Sequence, residues 1–302
     1  MLGIILADSG NDVQAAAIRQ AAAVYLKNFV EKHWETYDDS VPSVINDADK
    51  ATIRASIIEA VVVANEQIKK QLITVVRRLV RSDFPKTWTS VLEQIVPLLQ
   101  SEDINKITSA LACFLEVAEW RGHNLKDVTD VIQGQVFPIL LQIGQRFSQH
   151  IEEPAAQTIL KHIFKAYFTA IQFKFSNWLM SGDTFMAWTS LTLQAIQSPV
   201  PPAVKALDRE DAAENSYWKM KKWAFHIQNK IMSRYGNSKL ETYANSENSE
   251  FARAYMSSMA IPVLNVYLAQ INSYTEGNNP LTNRIICIIS DFLEYSVRAK
   301  KT

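Results

Sequence analysis

The chain contains little glycine and little cysteine, and these two shortages exclude several classes of protein. Only 8 glycines occur in 302 residues, and no alternating strand pattern bounded by Asn-Gly or Asp-Gly is evident, so the marks of a β-sheet protein are missing. The two cysteines, Cys113 and Cys287, lie far apart in apolar helical stretches, which is poor material for a disulfide framework or a zinc site. We therefore expect an intracellular, all-α protein.

An excess of either charge is also missing. Lysine plus arginine equals aspartate plus glutamate at 31 each, so no overall field attracts nucleic acid or an anionic membrane. The apolar run from Leu2 to Ala7 has no basic flank and is too short for a signal peptide or a membrane span. We expect no direct membrane contact, and any charge-driven partner must be met by a local cluster of residues.

The residue patterns of common catalytic and cofactor sites do not occur in the sequence. It contains no HExxH, Cys-x-x-Cys, GxGxxG, GxxxxGK[ST] or GxSxG, and so no spacing typical of a metal site, a phosphate cradle or a nucleophile elbow. Adjacent carboxylates at Glu152-Glu153 and in 208–211 fall at a helix start and in a loop, where capping and solvation explain them. The scattered histidines are His33, His123, His150, His162 and His226. We predict no catalytic residue, no metal and no cofactor, and therefore no enzyme.

Long runs of apolar residues at helical spacing are abundant instead. Between Leu72 and Val80 apolar side chains recur on one side of a helix and cations fill the other, so only one face is suited to burial. Asp83-Phe84-Pro85 then ends the helix, because proline disfavours helix in the residue before it. Since proline suits a first helical turn, the next helix is predicted to begin at Lys86.

One proline motif recurs along the chain. An apolar residue, a proline and two further apolar residues form Val96-Pro97-Leu98-Leu99, Phe137-Pro138-Ile139-Leu140 and Ile261-Pro262-Val263-Leu264. The first two prolines are 41 residues apart, which matches the period of roughly 40 to 47 residues in HEAT-type helical hairpins. Such hairpins bury their apolar faces only by stacking. We predict one all-α superhelix of the HEAT or armadillo type over residues 1–302, with about six hairpins and a loop-like insertion near 199–214.

Two clusters of cations stand out within this neutral chain. The first is Lys69-Lys70 with Arg77, Arg78 and Arg81, and the second is Lys219-Lys221-Lys222. The simpler interpretation is a solvated helix face. The alternative is that the first cluster faces an acidic partner, because second helices of stacked hairpins line the concave side of a solenoid. Nucleic acid is a weaker option, since aromatic residues interleave the cations only around Trp218 and Trp223.

Three motifs resemble a known family. They are Tyr25-Leu26-Lys27-Asn28-Phe29, Ser82-Asp83-Phe84-Pro85-x-x-Trp88, and Trp218-Lys219-x-Lys221-Lys222-Trp223-Ala224-x-His226-Ile227 with Arg234-Tyr235-Gly236. With them the chain resembles the importin-β superfamily of nuclear transport receptors, the karyopherins. The lysine and tryptophan stretch is similar to the importin seven and eight subgroup. The similarity matches the N-terminal third of such a receptor and begins inside its opening half-repeat, so we expect the chain to be a fragment.

The resemblance implies a HEAT-repeat receptor that shuttles between cytoplasm and nucleus through the nuclear pore. Such a receptor binds cargo, contacts the phenylalanine-glycine (FG) repeats of nucleoporins, and releases cargo when the small GTPase Ran binds in its GTP form. Residues 1–122 correspond to the Ran-binding hairpins, and 123–302 to further HEAT hairpins. For this subgroup the resemblance implies basic cargo such as ribosomal proteins or histones. The candidate Ran-binding residues are Lys27 and Asn28 by position in the family, and Arg77, Arg78, Glu116 and Glu119 by the face they share.

Two alternatives to an import receptor stay open at the level of sequence. An exporter of the same superfamily binds cargo more tightly with Ran-GTP, so the sign of that coupling separates the two directions of transport. A HEAT-repeat scaffold without a role in transport is the second alternative, and it is distinguished by failure to bind FG repeats.

Overall fold

Every element in the described part of the computed structural model is helical. The described residues are 2–7, 13–35, 44–120, 126–172, 182–235, 254–275 and 283–300. The helices are α1 (Leu2–Leu6), α2 (Val13–His33), α3 (Asp47–Val63), α4 (Glu66–Asp83), α5 (Val91–Leu99), α6 (Ile104–Ala118), α7 (Lys126–Ser148), α8 (Pro154–Ile171), α9 (Gly182–Gln197), α10 (Pro202–Lys205), α11 (Arg209–Glu214), α12 (Ser216–Tyr235), α13 (Ala260–Thr275) and α14 (Asn283–Lys300). A further helical turn covers 254–258.

The first of two compact units comprises Met1–Thr129 and contains three antiparallel helix pairs, α1 with α2, α3 with α4 and α5 with α6. First helices neighbour first helices, α1 beside α3 and α3 beside α5, while second helices neighbour second helices, α2 beside α4 and α4 beside α6. Side-chain caps define where several of these helices start. Asn46 accepts a hydrogen bond from the Asp49 amide at 2.8 Å, and Asn65 accepts one from the Ile68 amide at 3.0 Å, which satisfies otherwise unpaired first-turn donors. Two layers result, one of first helices and one of second helices.

The second unit, Asp130–Thr302, repeats this arrangement with α7 and α8, α9 and α12, and α13 and α14. Its second helices form the row α8, α12, α14. Among its first helices, α9 lies beside α13, and α7 approaches α9 so closely that a Cβ built on Gly144 falls 2.6 Å from Leu191 Cδ2. The insertion between α9 and α12 contains the short helices α10 and α11, where the sequence predicted only loop. Asp208 caps α11 through the amides of Glu210 and Asp211.

Aromatic side chains fill the core of the second unit. Tyr167 of α8 stacks on Trp188 of α9 with ring centroids 4.1 Å apart, and Phe137 of α7 contacts both rings. All three side chains are buried. One residue from each of three helices therefore closes the apolar interior, which is how a stacked hairpin buries the stripe that it cannot bury alone.

The predicted all-α architecture of about six stacked helical hairpins is confirmed. The predicted start of the helix after Pro85 is wrong, because α5 begins at Val91 and not at Lys86. The reason is local, since the amides of Thr87 and Trp88 both donate to the carbonyl of Asp83 and close a turn there. No described helix combines the length and the apolar character that a bilayer crossing requires.

Candidate binding surfaces on the helical hairpins

The end of α4 joins all three hairpins of the first unit. The Asp83 carboxylate, on a residue only 7% exposed, accepts hydrogen bonds from the indole of Trp34 at 3.1 Å and from Arg54 at 2.7 Å. Phe84 meets Trp120 edge to face at 5.2 Å. The Ser-Asp-Phe-Pro-x-x-Trp motif is therefore a structural junction, in which a buried carboxylate is neutralised by a guanidinium and an indole donor.

Two predicted Ran-binding arginines take part in ion pairs between neighbouring second helices. Arg77 of α4 makes a bidentate pair with Glu116 of α6, with N–O distances of 2.7 and 2.9 Å. Arg78 donates to Glu35, just beyond α2, at 2.9 Å. The Glu116 side chain is only 6% exposed, so its charge depends on this partner. The pair between Arg77 and Glu116 fixes the spacing of α4 and α6.

Three carboxylates act on Arg77. The hydrogen bond to Glu116 raises the pKa of Arg77, and the charges of Glu116, Glu119 and Glu31 act in the same direction against the lowering effect of burial. The structure thus brings together three of the six predicted site residues, Arg77, Glu116 and Glu119, with Glu31 of α2 on the other side. The sequence analysis missed Glu31, although its helical spacing from Lys27 was a usable signal.

Lys27 and Asn28 lie apart from this charged group, on α2. Lys27 is partly exposed and Asn28 is exposed, and the structure shows no side-chain hydrogen bond or ion pair for either among the residues it describes. Beside them Tyr25 and Phe29 stack at 5.9 Å, and Phe29 contacts His33 at 4.9 Å. Lys27 and Asn28 therefore belong to a surface with polar and aromatic groups available to a partner.

The first basic cluster divides into buried and exposed members. Lys69 is only 5% exposed, donates to Asn105 at 2.9 Å and pairs with Glu66 at 3.1 Å, so its interpretation as part of a solvated face is wrong. Asn105 in turn donates to the carbonyl of Val62 at 2.8 Å. Lys70 and Arg81 are exposed. Lys69 is buried because its position in α4 faces α6.

The second basic cluster also contains a buried lysine. The Lys221 residue has 0% exposure, and its ammonium donates to the Ser198 carbonyl at 2.8 Å and lies 5.1 Å from the Tyr217 ring centroid. Burial lowers the pKa of Lys221 to about 7. The expectation that this lysine is exposed was wrong. Its spacing of four from the buried Tyr217 placed it on the apolar stripe of α12, a signal that the sequence contained.

An open groove lies on the layer of first helices in the second unit, between the C-terminal ends of α7 and α9. It has a volume of about 520 Å³. Its lining residues are Ser148, Ile151, Ser190, Leu193, Gln194, Gln197, Ser198 and Pro199. Apolar walls from three of these residues alternate with amide and hydroxyl groups, which is the composition of a site for a side chain of mixed or aromatic character.

Possible metal ligands come together at one exposed place in the part of the chain that the structure describes. The ligand atoms of His150, Glu152 and Glu153 lie within 4.8 Å of one another, but all three residues are exposed at the turn between α7 and α8. Burial and the charges of Lys161 and Lys165 lower the pKa of His162 to about 4.

Comparison with known proteins identifies the family. Residues 2–63 match the family model of the importin-beta N-terminal domain. The chain is 27% identical over 295 residues to an importin beta-like SAD2 homolog of Arabidopsis thaliana, covering 97% of this chain and 28% of that protein. It is 27% identical over 266 residues to importin-8 of Mus musculus, covering 86% and 26%. Residues 2–63 therefore match the N-terminal domain of the importin-β family, and the rest of the chain is similar to importins. The chain spans little more than a quarter of the length of these relatives.

Exportins of the same superfamily are similar as well. Exportin-2 of Danio rerio is 34% identical over 111 residues, which is 37% of this chain and 11% of that protein. The solved structure of the exportin Cse1 in its cargo-free, cytoplasmic state superposes with a TM-score of 0.74 at 13% identity, covering 99% of this chain and 31% of that one. The chain therefore shares the fold of this exportin.

Proposed function

We propose that the chain is the N-terminal part of a nuclear import receptor, and that it acts by binding, with the second helices of its first unit docking Ran in the GTP form. The observation that carries the proposal is the importin-beta N-terminal match over residues 2–63, which covers α2 and the first part of this row of helices. Cargo, with basic proteins such as ribosomal proteins or histones as the expected class, and FG nucleoporins are the further partners. A receptor of this kind shuttles between cytoplasm and nucleus.

The proposed Ran surface consists of six residues with two different roles. Lys27 and Asn28 contact Ran directly, since they are the accessible members without side-chain partners among the described residues. The remaining four, Arg77, Arg78, Glu116 and Glu119, hold the neighbouring second helices at the spacing that the partner requires. Charge pairs between helices thus set the shape, and a few accessible polar groups on α2 supply the contact.

The test is a pull-down of the chain with Ran locked in the GTP state, compared with the GDP state. We expect binding only to the GTP state, and we expect Lys27→Glu to weaken it about tenfold, as charge reversal at a direct contact does. Lys32→Glu is the matched control, because Lys32 is exposed on the same helix but outside the proposed surface. Equal binding of both nucleotide states, or binding to neither, counts against the proposal.

The groove between α7 and α9 is the proposed site for FG repeats. Its volume of about 520 Å³ and its apolar walls from Ile151, Leu193 and Pro199 accommodate a phenylalanine ring. An FG-repeat peptide is expected to bind, and the same peptide with serine in place of phenylalanine is not. Leu193→Glu is expected to abolish binding, while Gln142→Glu, at an exposed position of α7, leaves it unchanged. Failure of the peptide to bind favours the scaffold alternative.

Export is the second candidate, because exportins match part of the chain at 34% identity and share its fold. Import and export differ in the sign of one coupling free energy. Ran-GTP lowers the affinity of an importin for cargo and raises that of an exportin, and by linkage cargo has the same effect on Ran-GTP affinity. Import therefore requires that a bound cargo weaken the capture of Ran-GTP.

A further inference from the structure

The groove proposed for FG repeats lies at the carboxyl-terminal ends of two helices. Ser148 is the last residue of α7 and Gln197 is the last residue of α9, and both line the groove. Backbone carbonyls at the end of a helix carry a partial negative charge, which favours a cation nearby. The groove thus combines apolar walls with backbone groups that attract positive charge.

Two carboxylates lie next to one of these apolar walls. Ile151 lines the groove from the turn between α7 and α8, and the exposed residues His150, Glu152 and Glu153 flank it in the same turn. Their possible ligand atoms lie within 4.8 Å of one another, so the three side chains lie on one side of the turn. Buried Gln157 donates to the carbonyls of Ile151 and Glu152 at 3.2 and 3.1 Å, which fixes the turn. We call Glu152 and Glu153 the acidic rim.

Helix capping does not account for the acidic rim. The Glu153 side chain makes no capping hydrogen bond at the start of α8. His150 Nδ1 lies 3.9 Å from Glu153, so a neutral imidazole leaves that carboxylate without a counter-charge. Glu152 makes no ion pair with any residue that the structure describes. Both carboxylates are therefore available to a cation of a partner.

Two further cations approach the same helix ends and make no ion pair with the acidic rim among the described residues. Arg146, in the last turn of α7, lies 4.8 Å from the centroid of the Phe147 ring and is not among the residues that line the groove. Lys221 donates to the Ser198 carbonyl at 2.8 Å from the buried side of α9. The rim thus presents negative charge on the open side of the groove.

We propose that the groove selects FG segments with a lysine or an arginine close to the phenylalanine, over neutral or acidic segments. The ring contacts Ile151, Leu193 and Pro199, and the cation lies over the acidic rim. In an extended peptide, residues two positions apart point to the same side and lie about 7 Å from each other. Since adjacent Cα atoms are about 3.8 Å apart, a cation at that position reaches Glu152 when the ring lies against Ile151. This selectivity rests on the proposed FG site and adds the class of segment that the site accepts.

A divalent metal ion is the competing occupant of the rim. One imidazole nitrogen and two carboxylates are suitable ligands, but all three side chains are exposed and would lose their freedom of rotation on binding. A metal ion would also make the rim positive, so the groove would then favour acidic segments. The two occupants therefore predict opposite preferences.

The test compares three labelled peptides that share one phenylalanine-glycine pair and carry lysine, serine or glutamate two positions from the phenylalanine. Fluorescence anisotropy in titrations with the full chain measures their affinities, with and without EDTA. We expect the lysine peptide to bind about fivefold more tightly than the serine peptide, as one water-screened ion pair allows, and the glutamate peptide to bind more weakly than either. The preference should shrink as salt rises, because exposed charges are screened.

The variant Glu152→Gln with Glu153→Gln should remove the preference, because it keeps the size of both side chains and deletes both charges. Glu59→Gln with Glu93→Gln is the matched control, since these two exposed carboxylates of the first unit give the same change in net charge. Circular dichroism monitors folding of both variants, and Glu152→Gln alone provides a milder change.

Equal binding of the three peptides overturns the selectivity but leaves the FG site standing. A preference that persists in the Glu152 and Glu153 variant, or falls equally in the control, has the same meaning. Tighter binding of the glutamate peptide also overturns the selectivity, and its loss in EDTA would indicate a metal ion on the rim. Binding of none of the three peptides overturns the FG site together with its selectivity, so the two failures are distinguishable.

Discussion

Single buried charges in this protein are held by very different means. Asp83 has a guanidinium and an indole donor, whereas Lys221 has, among the described residues, the Ser198 carbonyl and the rings of Tyr217 and Trp218 as partners. An ion pair compensates the loss of water better than a neutral acceptor does. Replacing Lys221 by an apolar residue should therefore stabilise the protein, whereas replacing Asp83 should destabilise it.

Replacement of Lys221 by methionine should flatten the dependence of stability on pH. Burial lowers the pKa of Lys221 to about 7 in the folded chain, so between this value and roughly 10.4 the unfolded chain binds more protons and the free energy of unfolding rises with pH. Below about pH 7 the full cost of burial is present. Lys221→Met should add about 4 kcal/mol at pH 6 and almost nothing well above pH 10. Urea unfolding at several pH values measures this, with the exposed Lys205→Met as control; an unchanged slope contradicts it.

Replacement of Asp83 by alanine should destabilise the first unit. The change leaves the Arg54 guanidinium and the Trp34 indole without their acceptor in a mostly buried place, at a cost of about 3 kcal/mol. Denaturant unfolding followed by circular dichroism measures the loss. The same substitution at the exposed Asp183 should change stability by less than about 0.5 kcal/mol. Similar values for the two variants would show that the junction at Asp83 is not stabilising.

The partners of these residues could not be predicted from the sequence. Arg54 and Asp83 lie 29 positions apart, and Arg77 and Glu116 lie 39 apart, so each pair depends on how hairpins stack and not on any local pattern. Lys221 is a different case, because its spacing from Tyr217 marked a buried position. We expected an exposed side chain because the residue is a lysine, but the helical spacing from Tyr217 correctly indicated a buried position.

Apolar periodicity predicted which segments form helices far better than it predicted the residues at which the helices begin and end. The stripe from Leu72 to Val80 is buried in α4 as predicted, since only that face could leave water. The start of α5 was misplaced because the hydrogen bonds of Thr87 and Trp88 to Asp83 have no signature in residue types alone. Contacts between second helices then decide which cations stay available to a partner.

A double-mutant cycle on Arg77 and Glu116 should show that they couple α4 to α6. Arg77→Ala leaves a nearly buried carboxylate without its bidentate partner, but the Arg77 side chain is 43% exposed, so screening by water limits the expected loss to about 2 kcal/mol. The coupling free energy between the two substitutions should be about 1 kcal/mol. Chemical unfolding of the four proteins measures it. The pair of partly exposed Lys219 and exposed Glu214 serves as reference and should couple more weakly, because water screens it.

At the scale of the whole molecule, the sequence motifs were sufficient for the superfamily and the fold, which the match over residues 2–63 and the exportin superposition confirm. The direction of transport could not be predicted, because importins and exportins share this fold and differ in how ligands bias it. The distribution of charged residues along the sequence became informative only when the structure showed which helices are neighbours. The adjacent carboxylates Glu152 and Glu153 gain meaning from the groove beside them, which the linear sequence does not display.

The coupling between cargo and Ran should therefore be measured on the intact chain. If the chain belongs to an importer, a basic cargo protein such as a histone should lower the affinity for Ran-GTP by at least about fivefold, the lower end of typical allosteric coupling. Calorimetric titration of Ran-GTP into the chain with and without cargo gives this ratio. A ratio of one indicates independent sites, and a rise in affinity indicates an exporter.

The Ser198 carbonyl accepts hydrogen bonds from both the Tyr217 hydroxyl and the Lys221 ammonium, each at 2.8 Å. It thereby ties the end of α9 directly to the start of α12, independently of the two short helices between them. The residues between them are therefore not needed to orient the hairpin. Loops whose flanking backbone is anchored in this way tolerate insertion. An affinity tag or a small fluorescent domain placed between α10 and α11 should leave the packing of α9 against α12 intact, giving an internal handle for tracking the protein in living cells.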